Sequence, residues 1–436
     1  MTTPDNRYCD VAIVGAGIVG LAVGLQLIRK YPGIKVVVLD KEKDIASHQT
    51  GHNSGVLHSG VYYRPGSLKA RLCVEGRAAM VQFCTEHGIP HEICGKIIIA
   101  TEEREILGLT ELLRRGQTNG VMGLRELDAD QIREIEPYTS GIRGIFVPTA
   151  GFTDFKAVSS RFAELIKQSG GEVLTGWGVK GIVRHSDAIA LETVSGVVHT
   201  RFAVNCAGLQ SDVIARMAGV RLGLRIVPFR GEYYELLPSK HHLIRGLVYP
   251  VADPRFPFLG VHFTRRIGGG VEAGPNAVFS FKREGYTRTS FDLQDALSTA
   301  RFPGFWKMAA HNWRIGAEEM YRSWSKKAFT RALQKLLPDL REEDLRPGGA
   351  GVRAQAVDRS GRLLDDFHFV HQDRILHVCN VPSPAATASL LIGREVVSTL
   401  EAAADLKKIR IAVEREIQSG RLVDGNTTAQ QALSAN

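Results

Sequence analysis

Residues 10–40 constrain the fold more than any other part of the chain. A short apolar run ending at Val14 leads at once into Gly15-Ala16-Gly17-Ile18-Val19-Gly20, and an apolar helical run follows through Ile28. A second run, VVVL, ends at Leu39 and delivers Asp40 twenty residues after the third glycine. This strand, turn, helix and strand make the dinucleotide-binding unit of a Rossmann-like α/β domain. Gly15 permits the tight turn, Gly17 lets a pyrophosphate approach the backbone, and Gly20 lets helix and strand pack closely. The helix N-terminus offers free N–H groups to phosphate, and the Asp40 carboxylate, with Lys41 beside it, can accept from ribose hydroxyls. The motif alone does not separate NAD from FAD.

Composition narrows the remainder. With 436 residues, 44% of them hydrophobic and 23% charged, the chain is large enough for two or three domains and is neither disordered, coiled-coil nor collagen-like. The 55 basic and 46 acidic residues leave +9, but the two signs interleave and no base-stacking motif accompanies them, so nucleic acid is not an expected partner. Cys9, Cys73, Cys84, Cys94, Cys206 and Cys379 are scattered without a CxxC pair, which reads as reduced thiols and no metal centre. Residues 11–28 have the length of a membrane helix, yet four glycines divide them. No secretory or long targeting segment is visible, so a cytoplasmic location is expected.

The segment from His48 reads HQTGHNSGVLHSGVYYRPGSLKA, polar and glycine-punctuated where an NAD domain would continue its plain alternation. Together with VPFRGEYY from Val227, RFPFLGVHFT from Arg255, GPNAVFSFKREGY from Gly274, AGVRAQAVD from Ala350 and PSPAATAS from Pro382, it resembles the D-amino-acid-oxidase-like FAD enzymes. Within them it is most similar to the L-2-hydroxyglutarate dehydrogenases and oxidases. The matches keep the family's order over about 340 residues. The resemblance implies a glutathione-reductase-like FAD domain joined to a mixed or antiparallel substrate sheet. It also implies FAD as cofactor, a small dicarboxylate as substrate, and a quinone-type molecule or oxygen as electron acceptor. Asp40 departs from the class, which commonly has glutamate there, and leaves the affinity for FAD open.

By this reading residues 1–94, 150–225 and 346–405 form the FAD domain and 95–149 and 226–345 the substrate domain. Residues 406–436 form a charged tail, more in keeping with a solvated helix, though a peripheral contact with the inner face of the cytoplasmic membrane stays open. The aromatics of residues 225–345 are expected to be core packing. FAD contacts are expected from Gly15, Ala16, Gly17, Ile18, Val19, Gly20, Asp40 and Lys41. The second segment adds Thr50, His52, Asn53, Ser54 and Gly55. By resemblance Val179, Ala207 and Gly208 border the adenosine, while Gly351, Val352 and the helix start at Ser383, Pro384, Ala385, Ala386 and Thr387 approach the flavin.

Oxidising a 2-hydroxy acid requires a base for the hydroxyl proton and anchors for carboxylates; the flavin supplies the electron sink. Arg353, behind a glycine-rich approach, is the expected carboxylate anchor, since a guanidinium binds bidentately. Arg230 serves either substrate or structure. His262 and His58 compete for the base, with His262 ahead. Tyr62, Tyr63, Tyr249, Asn276 and Lys282 are candidates for the distal carboxylate. An amine or amino-acid oxidase of the same fold is the alternative.

Overall fold

A computed structural model describes residues 5–252 and 258–403. The opening motif folds as its pattern demands. Strand Asp5–Val14 runs parallel to Val36–Leu39 on one side and to Gly196–Asn205 on the other. Glu172–Leu174 and Ile375–Asn380 extend the parallel core outward. Every residue of Val36–Leu39 is buried, which is why its sequence runs apolar instead of alternating. A hairpin, Val179–Arg184 with Ile189–Thr193, and the strand His368–Gln372 complete eight strands. Helices Ile18–Lys30, Leu68–Glu86, Phe155–Gln168 and Ala385–Ala403 pack with this sheet into one apolar core, in which Val11, Ile13, Leu21, Phe162, Leu376 and Ile392 are buried. Each such side chain contributes about 1.5–3 kcal/mol on burial.

The second sheet has nine strands, mostly antiparallel. Lys96–Ala100 lies beside Leu247–Pro250 and Arg143–Val147, and the sheet continues through His262–Arg265 and Val271–Gly274 to Leu224–Leu236. Alternation along Lys96–Ala100 separates two cores. Ile97 and Ile99 pack with Leu236 and Phe263, while Ile98 and Ala100 pack with Leu247 and Tyr249. Leu247 opposes Thr264, so Tyr249 and His262 share that second face with Lys96. A third, three-stranded sheet joins Val56–Leu57 and His91–Glu92 to Gly151–Thr153.

Two expectations change. Leu345–Asp358 pairs along most of its length with Leu224–Leu236, so residues 346–358 continue the second sheet, whereas the sequence reading placed them in the cofactor domain. Core packing holds for Phe263 and Phe329, both fully buried, but Trp306, Trp313 and Trp324 are 59, 62 and 65% exposed. Their helices, Pro303–His311 and Trp313–Trp324, turn Gly304, Met308, Glu319 and Ser323 inward and leave the indoles outside. All six cysteines are free thiols. Among the described residues no helix is long and apolar enough to cross a membrane. The tail, residues 406–436, lies outside the described residues.

Candidate active site

A cavity of about 720 Å³ begins at the carboxyl ends of Asp5–Val14 and Val36–Leu39 and is walled further on by the second sheet. At its start Gly15 has φ +113°, and a Cβ there would stand 2.4 Å from the Cys206 carbonyl oxygen. A Cβ on Gly20 would fall 1.9 Å from the Gly15 carbonyl oxygen, whereas one on Gly17 would meet only Thr50 Oγ1 at 3.4 Å. The turn is therefore closed on its protein side and open toward the cavity, as a pyrophosphate requires. Ile18 N–H donates to Thr50 Oγ1 at 3.0 Å, which ties the second segment to the start of the helix.

Asp40 does more than the motif suggests. Its Oδ2 accepts from Ala16 N–H at 2.7 Å and its Oδ1 from Glu42 N–H at 2.9 Å, so the carboxylate also holds the phosphate turn in shape. Lone pairs remain for a ribose. Lys41 lines the same end and pairs with Glu42 and Glu284, and Glu42 also meets His48 Nε2 at 2.9 Å. Glu42, His48 and Glu284 present ligand atoms within 4.8 Å of one another, and Lys41 already forms ion pairs with both carboxylates.

Val179, Ala207 and Gly208 line the cavity, as do His52, Asn53 and Ser54. Near its far end the N-terminus of Ala385–Ala403 enters, with Ser383, Pro384, Ala385, Ala386 and Thr387 on the wall. Thr387 Oγ1 donates to the Val56 carbonyl and accepts from His58 N–H, both at 3.1 Å. Gly351 comes so close to the second segment that a Cβ would lie 2.2 Å from the His52 carbonyl oxygen. The glycine turn, Asp40 and this second helix start suit a long dinucleotide whose ring system ends between the two sheets.

The family model for FAD-dependent oxidoreductases matches residues 10–399. L-2-hydroxyglutarate dehydrogenase of Indibacter alkaliphilus is 49% identical over 388 residues, covering 89% of this chain and 97% of that protein. The human mitochondrial L-2-hydroxyglutarate dehydrogenase is 44% identical over 409 residues, 90% of this chain and 88% of the relative. The chain belongs to the L-2-hydroxyglutarate dehydrogenase family of FAD-dependent oxidoreductases. Its cofactor is FAD. Among solved structures, the FAD-bound L-α-glycerophosphate oxidase of Mycoplasma pneumoniae superposes with a TM-score of 0.75 at 20% identity, covering 91% of this chain and 95% of that one. Glycine oxidase of Bacillus cereus reaches 0.66 at 20% identity, covering 91% and 96%. At such identities these neighbours speak for the fold alone.

In this family member the second sheet brings the chemistry-bearing side chains to one wall. His262 Nδ1 lies 2.8 Å from the Gly260 carbonyl oxygen, which can only accept. Nδ1 therefore carries the proton of the neutral ring, and Nε2 keeps its lone pair. The ring stacks on Tyr249 with centroids 4.0 Å apart. Burial, together with the charges of Lys96 and Arg353, depresses His262 to about 3 despite its bond to Gly260. His58, whose Nε2 is 3.3 Å from Ser383 Oγ, is brought to about 3 by burial and by Lys96, His262 and Lys69. Both rings are neutral at pH 7, the form a base must have.

Arg353 lines the cavity with its guanidinium over the Phe258 ring and one hydrogen bond, Nη1 to the Asn276 carbonyl at 3.2 Å. No carboxylate among the described residues closes an ion pair with it, so donors remain for a ligand. Tyr62, Tyr63 and Tyr249 also line the wall.

Six expected residues are not on the cavity wall. Ala16 and Gly20 shape the turn from behind, and Gly55 joins the second segment to Thr153. Arg230 is buried against Glu232 through two bonds, and Asn276 both donates to and accepts from Glu232. That network braces the strand opposite Arg353. Lys282 is half-buried away from the cavity, while its neighbour Arg283 is fully buried on Asp212. The sequence reading passed over Lys96, Lys69 and Tyr233. A lysine opening the apolar strand KIIIA was the available signal for Lys96, because its parity matches the inward-facing Ile98.

Proposed function

We propose that the protein oxidises L-2-hydroxyglutarate to 2-oxoglutarate. The observation that carries this reading is the pairing of an unpaired Arg353 with neutral histidines on the wall of the FAD cavity. The Arg353 guanidinium binds one substrate carboxylate bidentately and fixes the carbon skeleton. His262 Nε2 takes the hydroxyl proton; Nδ1 keeps its own proton on the Gly260 carbonyl, so the ring becomes imidazolium without rotating. A bound dianion offsets the burial and the cations that hold the histidine low, which raises its basicity when substrate is present. FAD, when bound, would supply the acceptor for the hydride that leaves the substrate's α-carbon. Tyr62 and Tyr249 enclose the site and keep bulk water from the reacting carbon.

In this reading the FAD unit comprises residues 1–94, 150–223 and 359–405, and the substrate unit 95–149 and 224–358, because both long paired strands belong to the second sheet. Reduced enzyme is reoxidised by a quinone-type acceptor or by oxygen. In this reading the location is the cytoplasm. An anaerobic visible spectrum tests the substrate: L-2-hydroxyglutarate bleaches the flavin, and its D enantiomer and amino acids do not. Bleaching by an amino acid instead would establish the amine-oxidase alternative.

A further inference from the structure

A lysine ammonium taken out of water normally has a carboxylate against it, because isolated burial of a charge is costly. Lys96 is 1% exposed and, among the described residues, has no carboxylate and no hydrogen-bonding side chain on its Nζ. Two aromatic faces surround it instead. Nζ lies 4.8 Å from the Tyr62 ring centroid and 4.7 Å from that of Tyr249. Both rings line the FAD cavity, so the charge stands directly against side chains of its wall. The sheet register puts it on the same face as Tyr249 and His262. His262 experiences both Lys96 and Arg353, and so lies within reach of two cations, neither closed by an acid.

We infer that Lys96 is the positioning residue that makes this site select dicarboxylates: through Tyr62 and Tyr249 it supplies the second positive charge, for the carboxylate that Arg353 does not hold. This rests on the 2-hydroxy-acid reading of the same cavity, but it concerns the number of negative charges accepted and is tested without turnover.

The test uses the FAD-loaded full-length protein and the perturbation of its flavin spectrum by glutarate and by butyrate. Lys96→Met should weaken glutarate about tenfold, one decade in Kd, and leave butyrate unchanged. Lys96→Arg should restore glutarate. Equal weakening of both ligands, or of neither, overturns the inference. Wild-type protein provides a reading that no misfolded variant can spoil. Burial lowers Lys96 to about 8. The neighbouring titratable groups stay clear of that range: Cys73 is pushed up to about 12, Tyr62 and Tyr249 are raised further by burial, and His58 and His262 lie at about 3. Lys69 holds Asp365, and Arg353 keeps its charge. The preference for glutarate over butyrate should therefore fall as pH rises from 7 to 9.5, when the ammonium loses its proton. A constant preference overturns the inference. Bleaching by L-2-hydroxyglutarate, measured separately, judges the substrate reading.

Discussion

Among the buried histidines through which acid should destabilise this protein, one never meets substrate. His377 sits in Ile375–Asn380, fully buried, with Nδ1 3.1 Å from Asn205 Nδ2 and its Nε2 without a hydrogen-bond partner among the described residues. Burial, with a smaller push from His371, lowers it from 6.5 to about 4. A depressed histidine contributes stability that is whole above 6.5 and is lost as pH falls from 6.5 toward 4. At pH 5 the unfolded ring is almost wholly charged and the folded one about one-tenth charged, a loss of about 2 kcal/mol. His377→Leu removes the titration, and Asn205 Nδ2 keeps its bond to the Ser211 carbonyl at 2.8 Å. The substitution itself should then cost no more than about 1 kcal/mol at pH 8. Urea unfolding at pH 8 and pH 5 gives the comparison: wild type should lose about 2 kcal/mol more than the variant. Equal losses would refute the reasoning. Asn205 Oδ1 also accepts from Ala207 N–H on the cofactor wall, so flavin fluorescence should report earlier FAD release in wild type than in the variant.

Arg353→Lys should raise KM roughly 10- to 100-fold with FAD retained, since lysine cannot bind a carboxylate bidentately; unchanged kinetics would remove Arg353 from the site. His262→Ala should slow flavin reduction by roughly 100-fold or more with cofactor still bound, and His58→Ala by less; the reverse order in stopped-flow traces would make His58 the base. Because both rings lie at about 3, kcat/KM should show no histidine limb between pH 5 and 8; an inflection near 6.5 would contradict their burial. Burial alone would raise the Asp212 carboxyl, but Arg283 and Arg216 hold it below its ordinary value. Asp212→Asn leaves Arg283 without that partner inside the protein and should cost about 3 kcal/mol in denaturant unfolding.

The two halves of the site differed in how far they could be read from the chain. The cofactor half is local: Gly15, Gly17, Gly20 and Asp40 act through turn geometry and a fixed strand-to-strand distance, which a few tens of residues specify. The substrate half depends on which strands become neighbours. Arg230, Arg283 and Arg353 look alike in sequence. Pairing with Leu224–Leu236 and contact with Glu232 and Asp212 decide that the first two are structural and only the third keeps open donors. The strand pattern marks Lys96 as inward-facing but not its role, since that role lies in two tyrosines, one from the loop after the second flavin segment and one about 150 residues along the chain. The sequence by itself determined the dinucleotide turn and the family motifs, because each is written in contiguous residues, and the second sheet entered only as what those motifs' resemblance implied. Tertiary structure alone decided which charges are neutralised, because ion pairing and desolvation depend on contacts between residues far apart in the chain.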